Sequence, residues 1–258
     1  MTCVSSRKGT TEHDRWPEEA FGPAYRLVYG HRDRGSARQE VGHLLAFLGL
    51  RGDERVLDVG CGDGRHLEAL LEKCREAWGL DLSPWLLERA RGRKGLSGRL
   101  VRADMRAIPF APRFDLVTSL FTSFGYFLED SLNAHVMMEM ASCLRPGGVL
   151  VVDHINPAWL RSNLIPASRF VRMGYEVLEE RALDGNRVVK RVRVRRGGGE
   201  PLEDYTESVR LYQPEEMASM FVGSGLGTPR LLGWYDGSPL EQGSRRMIAV
   251  GTRSQRCP

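Results

Sequence analysis

The sequence predicts an α/β protein built on a doubly wound, mostly parallel sheet. Three observations carry this expectation. Apolar runs of strand length alternate with helical patterns from Arg55 to Asn156, a glycine-rich turn "VLDVGCGDGRH" joins the first run to the first helical pattern, and aspartates stand at the ends of successive strands. Alternation of this kind needs crossover connections and hence parallel strands. In such a sheet ligands lie beyond the carboxyl ends of the strands, so the residues just past those ends are the ones to inspect.

At 258 residues the chain is near the upper size for one hydrophobic core, which favours one domain with an embellishment. A hydrophobic fraction of 41% with 27% charged residues is that of an ordinary globular protein, and the net charge of +4 permits acidic partners without demanding them. Cys3, Cys61, Cys74, Cys143 and Cys257 form no CxxC pair, and no histidine is spaced as a zinc partner. Reduced thiols and no metal are expected. The N-terminus lacks the apolar core of a signal peptide, and no run approaches the ~18 apolar residues of a membrane span. The expectation is a soluble, cytoplasmic protein without a membrane partner.

The elements follow in order. Residues 1–14 are small and polar and read as disordered. Residues 15–50 read as a helical region of two helices broken near "YGHRDRGS", with Val41, Leu44, Leu45 and Leu48 as the apolar stripe of the second. Residues 51–156 form the α/β core: "RVLDVG" a strand, "RHLEALLEKC" a helix, "EAWGLDLS" a strand, and "PWLLERAR" a helix capped by Ser83 with Pro84 in its first turn. "GRLVRADM" and "FDLVTSLFTSF" are the next strands, "LNAHVMMEMASCL" is a helix stopped at "RPGG", and "VLVVDHI" is the fifth strand. Residues 157–212 change texture. "YEVLEERAL", "RVVKRVRVRR" and "EPLEDYTESVRLY" read as three strands of an antiparallel flap inserted into the core. Residues 213–253 resume the core with the helix "PEEMASMFVGSGL" and the strands "PRLLGWYDG" and "RRMIAVGTR", and 254–258 are a tail.

The glycine turn selects its ligand by exclusion. A phosphate-binding P-loop needs a lysine that this turn lacks, and a dinucleotide fingerprint needs a third glycine where Arg65 stands. Asp58 and Asp63 would repel a pyrophosphate, so the turn suits a ligand carrying positive charge. Asp81, at the end of the second strand, can accept both hydroxyls of a ribose. Asp104, at the end of the third, can accept from an adenine amino group. A lone aspartate at a strand end is often a turn or cap. Three at successive strand ends are hard to explain that way.

These stretches, with "GLDLSPWLLERAR", "RADMRAIPF", "FDLVTSLFTSFGYF" and "LRPGGVLVVDHINP", resemble the successive motifs of class I S-adenosylmethionine-dependent methyltransferases, from about Tyr25 to Arg253. The resemblance implies a Rossmann-like fold with an N-terminal helical lid, and S-adenosyl-L-methionine as cofactor with S-adenosyl-L-homocysteine as product. It implies that Gly60, Cys61 and Gly62 line the methionine portion, that Asp58 helps hold its ammonium, and that Asp81 with Leu82 meets the ribose. Asp104 and Met105 would meet the adenine, Leu120 or Phe121 the methyl group, and Tyr25, Tyr29 and Arg32 would form the lid. The motif set is specific for the cofactor and unspecific for the acceptor.

Methyl transfer from a sulfonium needs alignment more than acid–base help, and alignment supplies about 7–11 kcal/mol in favourable cases. A general base adds about 10²–10⁴-fold where the nucleophile must lose a proton. His154, at the end of the fifth strand, is the leading base candidate, against the reading of a histidine hydrogen-bonded in a loop. His31 in the lid is second, and Tyr126 could orient an acceptor or simply pack. The absence of an N-P-P-Y tetrapeptide and of a Pro-Cys pair after the fourth strand lowers nucleic acid as acceptor. In "RVVKRVRVRR", Arg187, Arg191, Arg193 and Arg195 share one face, and Val188, Val192 and Val194 the other. That face is either a stripe for RNA or another polyanion, or a solvated surface paired to acids on neighbouring strands, where Glu176, Glu179, Glu180, Glu203, Asp204 and Glu207 are available. The expectation is a methyltransferase acting on a small molecule. An RNA methyltransferase and a cofactor-binding protein without turnover are the alternatives, and the flap edge leaves a dimer open.

Overall fold

The computed structural model describes residues 22, 24–30, 34–197 and 201–255. The expected disorder of residues 1–14, His31 and Arg32 therefore lie outside the described residues. The described residues begin with two helices, α1 (Tyr25–Tyr29) and α2 (Arg34–Leu48). They lead into β1 (Arg55–Val59), α3 (Arg65–Leu71), β2 (Glu76–Asp81), α4 (Pro84–Arg91), β3 (Leu100–Arg102) and β4 (Phe114–Ser119). Then come α5 (Asp130–Ser142), β5 (Leu144–Ile155) and α6 (Pro157–Asn163). A second sheet follows, of β6 (Ala167–Arg172), β7 (Tyr175–Asp184), β8 (Arg187–Arg195) and β9 (Pro201–Arg210). The chain returns through α7 (Pro214–Gly223), β10 (Arg230–Leu232) and β11 (Arg246–Thr252).

Among the described residues the main sheet has seven strands in the order β10-β11-β5-β4-β1-β2-β3. β1 pairs in parallel with β2 and β4, β2 with β3, and β4 with β5, while β11 runs antiparallel to β5 and β10. Both faces of this sheet are covered, so its central strands are apolar on both sides. On one face Val56, Leu116, Val151 and Ile248 pack with Leu44 of α2, Leu67 and Leu70 of α3 and Ala90 of α4. On the other, Leu57, Val117 and Leu150 pack with Val136 and Met140 of α5 and Met217 and Phe221 of α7. Ser83 caps α4 as its sequence position suggests, its side chain accepting from Leu86 N–H at 3.1 Å with Pro84 following.

The antiparallel flap has four strands where the sequence suggested three. The additional β6 joins β7 through Met173 and Gly174, both at positive φ (53° and 77°), which is the backbone of a two-residue hairpin turn. Met-Gly is not the Asn-Gly signature of such turns, so the hairpin was invisible. Helix α6 was also unanticipated, although Asn156 caps it through Ala158 N–H at 3.1 Å and Pro157 opens it. The run "PRLLGWYDG" is a strand only over Arg230–Leu232, and Tyr235 leaves it to become fully buried beside the sheet.

The flap carries the lid helix. Val177, Val192, Val194 and Tyr205 form a small core with Ala24 and Val28 of α1. Tyr29 donates to Glu207 at 2.6 Å, Lys190 pairs with Glu207 at 2.9 Å, and Arg172 donates to the Leu27 carbonyl at 2.8 Å. Lys190 thus sits on the valine face of β8, its charge neutralised where α1 docks. On the opposite face Arg191 pairs with Asp204 at 2.7 Å and Arg193 with Glu180 at 2.6 Å.

Gly64 shows how tightly the glycine turn is packed. It stands at φ 80°, and a Cβ there would come within 2.7 Å of Leu96 Cδ1 and 3.1 Å of Ala90 Cβ. Gly64→Ala combines left-handed strain with overpacking and should destabilise the fold by about 2–4 kcal/mol, read as a fall in the thermal unfolding midpoint.

Candidate functional site

A cavity of about 600 Å³ opens at the carboxyl ends of β1, β2 and β4, between the lid helix and the base of the flap. Tyr25, Asp58, Gly60, Cys61, Gly62, Asp81, Leu82, Asp104, Met105, Leu120, Phe121 and Tyr126, all singled out from sequence, line it. Tyr29 does not: its hydroxyl is bound to Glu207 of the flap.

The glycine turn reaches under the cavity with its backbone. Gly60 and Cys61 N–H both donate to the Leu80 carbonyl, at 2.8 and 3.0 Å, which locks the turn to the end of β2. Gly60 adopts φ 73°, and a Cβ there would lie 2.6 Å from Ser123 Cβ, so only glycine allows β1 to end this close to the loop after β4.

The three aspartates differ in how they are held. Asp58 is buried and accepts from Thr118 Oγ1 at 2.8 Å. Burial, which the Thr118 bond only partly offsets, raises its pKa to about 7. Asp81 accepts Gly62 N–H at 2.8 Å and Ser83 N–H at 2.9 Å, so its carboxylate is oriented before any ligand arrives. Burial raises its pKa against those amides. Asp104 is engaged by Arg106, which donates from its backbone at 2.8 Å, from Nε at 3.1 and 3.0 Å and from Nη2 at 2.6 Å. Burial pushes the Asp104 pKa up, and the Arg106 bonds outweigh it and hold the carboxyl below its ordinary range. These contacts use the roughly four acceptor positions of a carboxylate.

The leading base candidate is corrected by the structure. His154 does not face the cavity. It is fully buried, with Nδ1 3.0 Å from the Ile155 carbonyl and its ring edge-on to Tyr212 at 5.9 Å. Burial lowers its pKa to about 4, the condition of a packed neutral imidazole. Register explains the misreading: at the end of β5 the neighbouring Asp153 turns toward the loop after β4, and His154 takes the opposite face. Tyr126 remains in the cavity wall.

One residue in this region, Asp153, escaped sequence reasoning. Asp153 is fully buried and accepts Phe121 N–H at 2.7 Å and Arg246 Nε at 2.6 Å, with Tyr235 O–H donating to it as well. Arg65 and His66 line the cavity from the first turn of α3, and His66 Nε2 lies 2.7 Å from Glu40 on α2. Burial lowers the His66 pKa despite Glu40. Arg187 lines the cavity too, but its guanidinium is spent on the loop after β4. It donates to the Tyr126 and Phe127 carbonyls at 3.1 Å each and to Ser208 Oγ at 2.7 Å. Nothing local marked Asp153, whose partners lie 82 and 93 residues away.

Residues 56–148 match a family described as a methyltransferase domain. The chain is 28% identical over 262 residues, 95% of its length and 100% of the relative's, to a dTDP-4-amino-2,3,4,6-tetradeoxy-D-glucose N,N-dimethyltransferase of Saccharopolyspora spinosa. It is 36% identical over 104 residues, 40% of this chain and 42% of the relative, to a dTDP-3-amino-3,4,6-trideoxy-alpha-D-glucopyranose N,N-dimethyltransferase of Streptomyces venezuelae. A structure of an amino pentose methyltransferase from Micromonospora echinaspora, bound to S-adenosylmethionine, superimposes with a TM-score of 0.67 at 26% identity, covering 90% of this chain and 98% of that one. Residues 56–148 thus carry a methyltransferase domain, and the chain shares the fold of S-adenosylmethionine-dependent methyltransferases of known structure. The chain spans about half of the length of the first curated relatives that it matches.

The residues present fit that cofactor. Gly60 and Gly62 line the cavity with backbone alone, Asp81 offers a carboxyl already oriented by two amides, and Asp58 places a second carboxyl beside the turn. No helix among the described residues is long and apolar enough to cross a membrane.

Two outcomes follow from the carboxylates. A ligand ammonium beside Asp58 favours its ionised form, so S-adenosylhomocysteine affinity should rise about tenfold between about pH 6 and pH 8 and stay flat in Asp58→Asn, read by calorimetry. The sign for folding is opposite. The fold keeps the Asp58 proton where the unfolded chain has lost it, so stability falls as pH rises from the ordinary carboxylate range through about 7. Arg106→Ala frees Asp104 and should tighten S-adenosylhomocysteine, whereas Asp104→Ala should weaken it by about tenfold; unchanged binding in both would remove Asp104 from the adenine site.

Proposed function

We propose that this methyltransferase transfers a methyl group to the amino nitrogen of a small-molecule acceptor, an amino sugar carried on a nucleotide. The observation that supports it is the composition of the cavity beyond Phe121. There Tyr126, Glu129, Asp184, Thr206 and Ser208 continue the same cavity that holds the glycine turn and the aspartates. Carboxylates and hydroxyls suit an acceptor that arrives as an ammonium and carries sugar hydroxyls. The relatives named for dTDP-amino sugars agree with that acceptor class.

S-adenosylmethionine supplies a methyl group on a sulfonium, already bound to a good leaving group. The chain's contribution is alignment and exclusion of water. In this reading Asp81 and Asp104 fix the nucleoside end, Asp58 the ammonium, and Leu120 and Phe121 the wall near the methyl group. Tyr126 orients the amine. The lid helix, seated on the flap, brings Tyr25 over the cavity. The acceptor ammonium gives up a proton to water, and the neutral amine then attacks the methyl carbon as the sulfur–methyl bond breaks. The product forms as a methylated ammonium beside neutral S-adenosylhomocysteine, so no strong base need be permanently positioned.

The arginine face gives the RNA reading no support, since Arg191 and Arg193 are paired within the flap and Arg187 is bound to loop carbonyls.

Incubation of the purified protein with methyl-labelled S-adenosylmethionine and a dTDP-linked amino deoxysugar should place label on the sugar nucleotide, as one or two methyl increments by mass. Label appearing instead in an RNA fraction of a cell extract, with the sugar nucleotide untouched, would overturn this assignment.

A further inference from the structure

Phe121 and Thr122 both take left-handed backbone, with φ of 59° and 65°. An aromatic and a β-branched residue disfavour that region, and such strain persists only where the surroundings over-determine it. Among the described non-glycine residues the other positive φ is at Met173, in the exposed hairpin of the flap. The strain at 121–122 instead coincides with the cavity wall, which Leu120, Phe121, Thr122 and Ser123 all line.

One residue holds that turn. The Asp153 carboxylate accepts Phe121 N–H at 2.7 Å, and the Asp153 carbonyl accepts Thr122 N–H at 2.9 Å. Arg246 donates to Asp153 through Nε at 2.6 Å and to Thr122 Oγ1 through Nη2 at 2.8 Å, closing a ring of three side chains around the turn. Tyr235 donates to Asp153 Oδ2, the same oxygen that accepts Phe121 N–H, while Arg246 takes Oδ1. The Phe121 ring lies 4.4 Å from Arg65 Cζ and 5.2 Å from Arg246 Cζ, measured to its centroid.

A buried ion pair is weak evidence for stability, because desolvation offsets much of the attraction. Here the pair is arranged around strained backbone facing the cavity, not around packing. We propose that Asp153 is a positioning residue for methyl transfer: by pinning the N–H groups of Phe121 and Thr122 it fixes the wall against which donor and acceptor are aligned. It touches neither of them. The inference rests on the methyltransferase reading, in which rigid alignment lowers the barrier.

The test uses the full chain with Asp153→Asn, Tyr235→Phe and Thr122→Gly, and Phe221→Leu as a control in the core between α7 and the sheet. Tyr235→Phe removes one hydroxyl and no bulk, so it reads the network even where Asp153→Asn, which uncovers the Arg246 charge, fails to fold. Calorimetry should show S-adenosylhomocysteine bound about fivefold or more weakly by Tyr235→Phe and Thr122→Gly, because a turn no longer set in advance must be ordered on binding. The control should lose thermal stability with its affinity intact. With a dTDP-linked amino deoxysugar, kcat should fall about tenfold in the same two variants at nearly constant acceptor KM. Affinity within about twofold of the parent in both variants would assign Asp153 to stability alone. The binding readout needs no acceptor, so a wrong acceptor and a wrong role for Asp153 give different results.

Discussion

The architecture around the cavity depends on how carboxylates at the carboxyl edge of the sheet are satisfied. An ionised group taken out of water must be hydrogen-bonded or paired, and the neighbouring backbone supplies much of that here. Asp81 takes the amides of Gly62 and Ser83, which ties the glycine turn to the loop after β2. Asp153 takes Phe121 N–H and the Arg246 side chain, which ties the loop after β4 to β11. Asp58 is fully buried, and burial raises its pKa against the one hydroxyl it accepts, from Thr118. Three adjacent loops thus owe their shape to acceptors on the strands they leave or adjoin. The least satisfied of the three, Asp58, lines the cavity beside the glycine turn.

The flap belongs to the same arrangement. Its arginines look in sequence like a single basic stripe, but the sheet divides them by position along the strand. Arg191 and Arg193 bond to acids on β9 and β7, and such exposed pairs stabilise only slightly. Arg187, at the root of β8, reaches the carbonyls of Tyr126 and Phe127 and so joins the flap to the loop after β4. Burial lowers the Arg187 pKa, as expected of a guanidinium surrounded by carbonyls rather than by an anion. On the other face, Lys190 and Glu207 receive Tyr29 from the lid. The flap therefore touches the cavity at its root and the lid on its valine face.

Local chemistry was legible in the sequence, and distant chemistry was not. The glycine turn, the Ser83 cap, the alternating core and the carboxylates at strand ends rest on spacing within a few residues, where backbone geometry leaves little choice. Residues 173 and 174 form a hairpin without a favoured turn pair, so β6 left no signal. His154 and Asp153 are adjacent, and a strand sends adjacent side chains to opposite faces. Choosing which one faces the cleft needs the register of β5 against β11, and His154 pairs there with Met247 rather than with anything nearby in sequence. Asp153 gains its meaning only when Tyr235 and Arg246 are folded back to it.

The exchange of these two neighbours changes what the site is asked to do chemically. A histidine in the cleft would imply a proton to be removed, whereas a packed neutral imidazole with a pKa near 4 supplies no such group. In its place stands an aspartate that reaches the cavity only through the backbone it holds. A sulfonium already carries its leaving group, so the barrier that a protein can lower is mostly one of approach and alignment. Rigid walls serve that purpose better than titrating ones. The same logic accounts for the strained Phe121–Thr122 turn: a relaxed turn could drift, and a turn clamped from Asp153, Arg246 and Gly60's neighbour Ser123 cannot do so without breaking several partly buried hydrogen bonds at once.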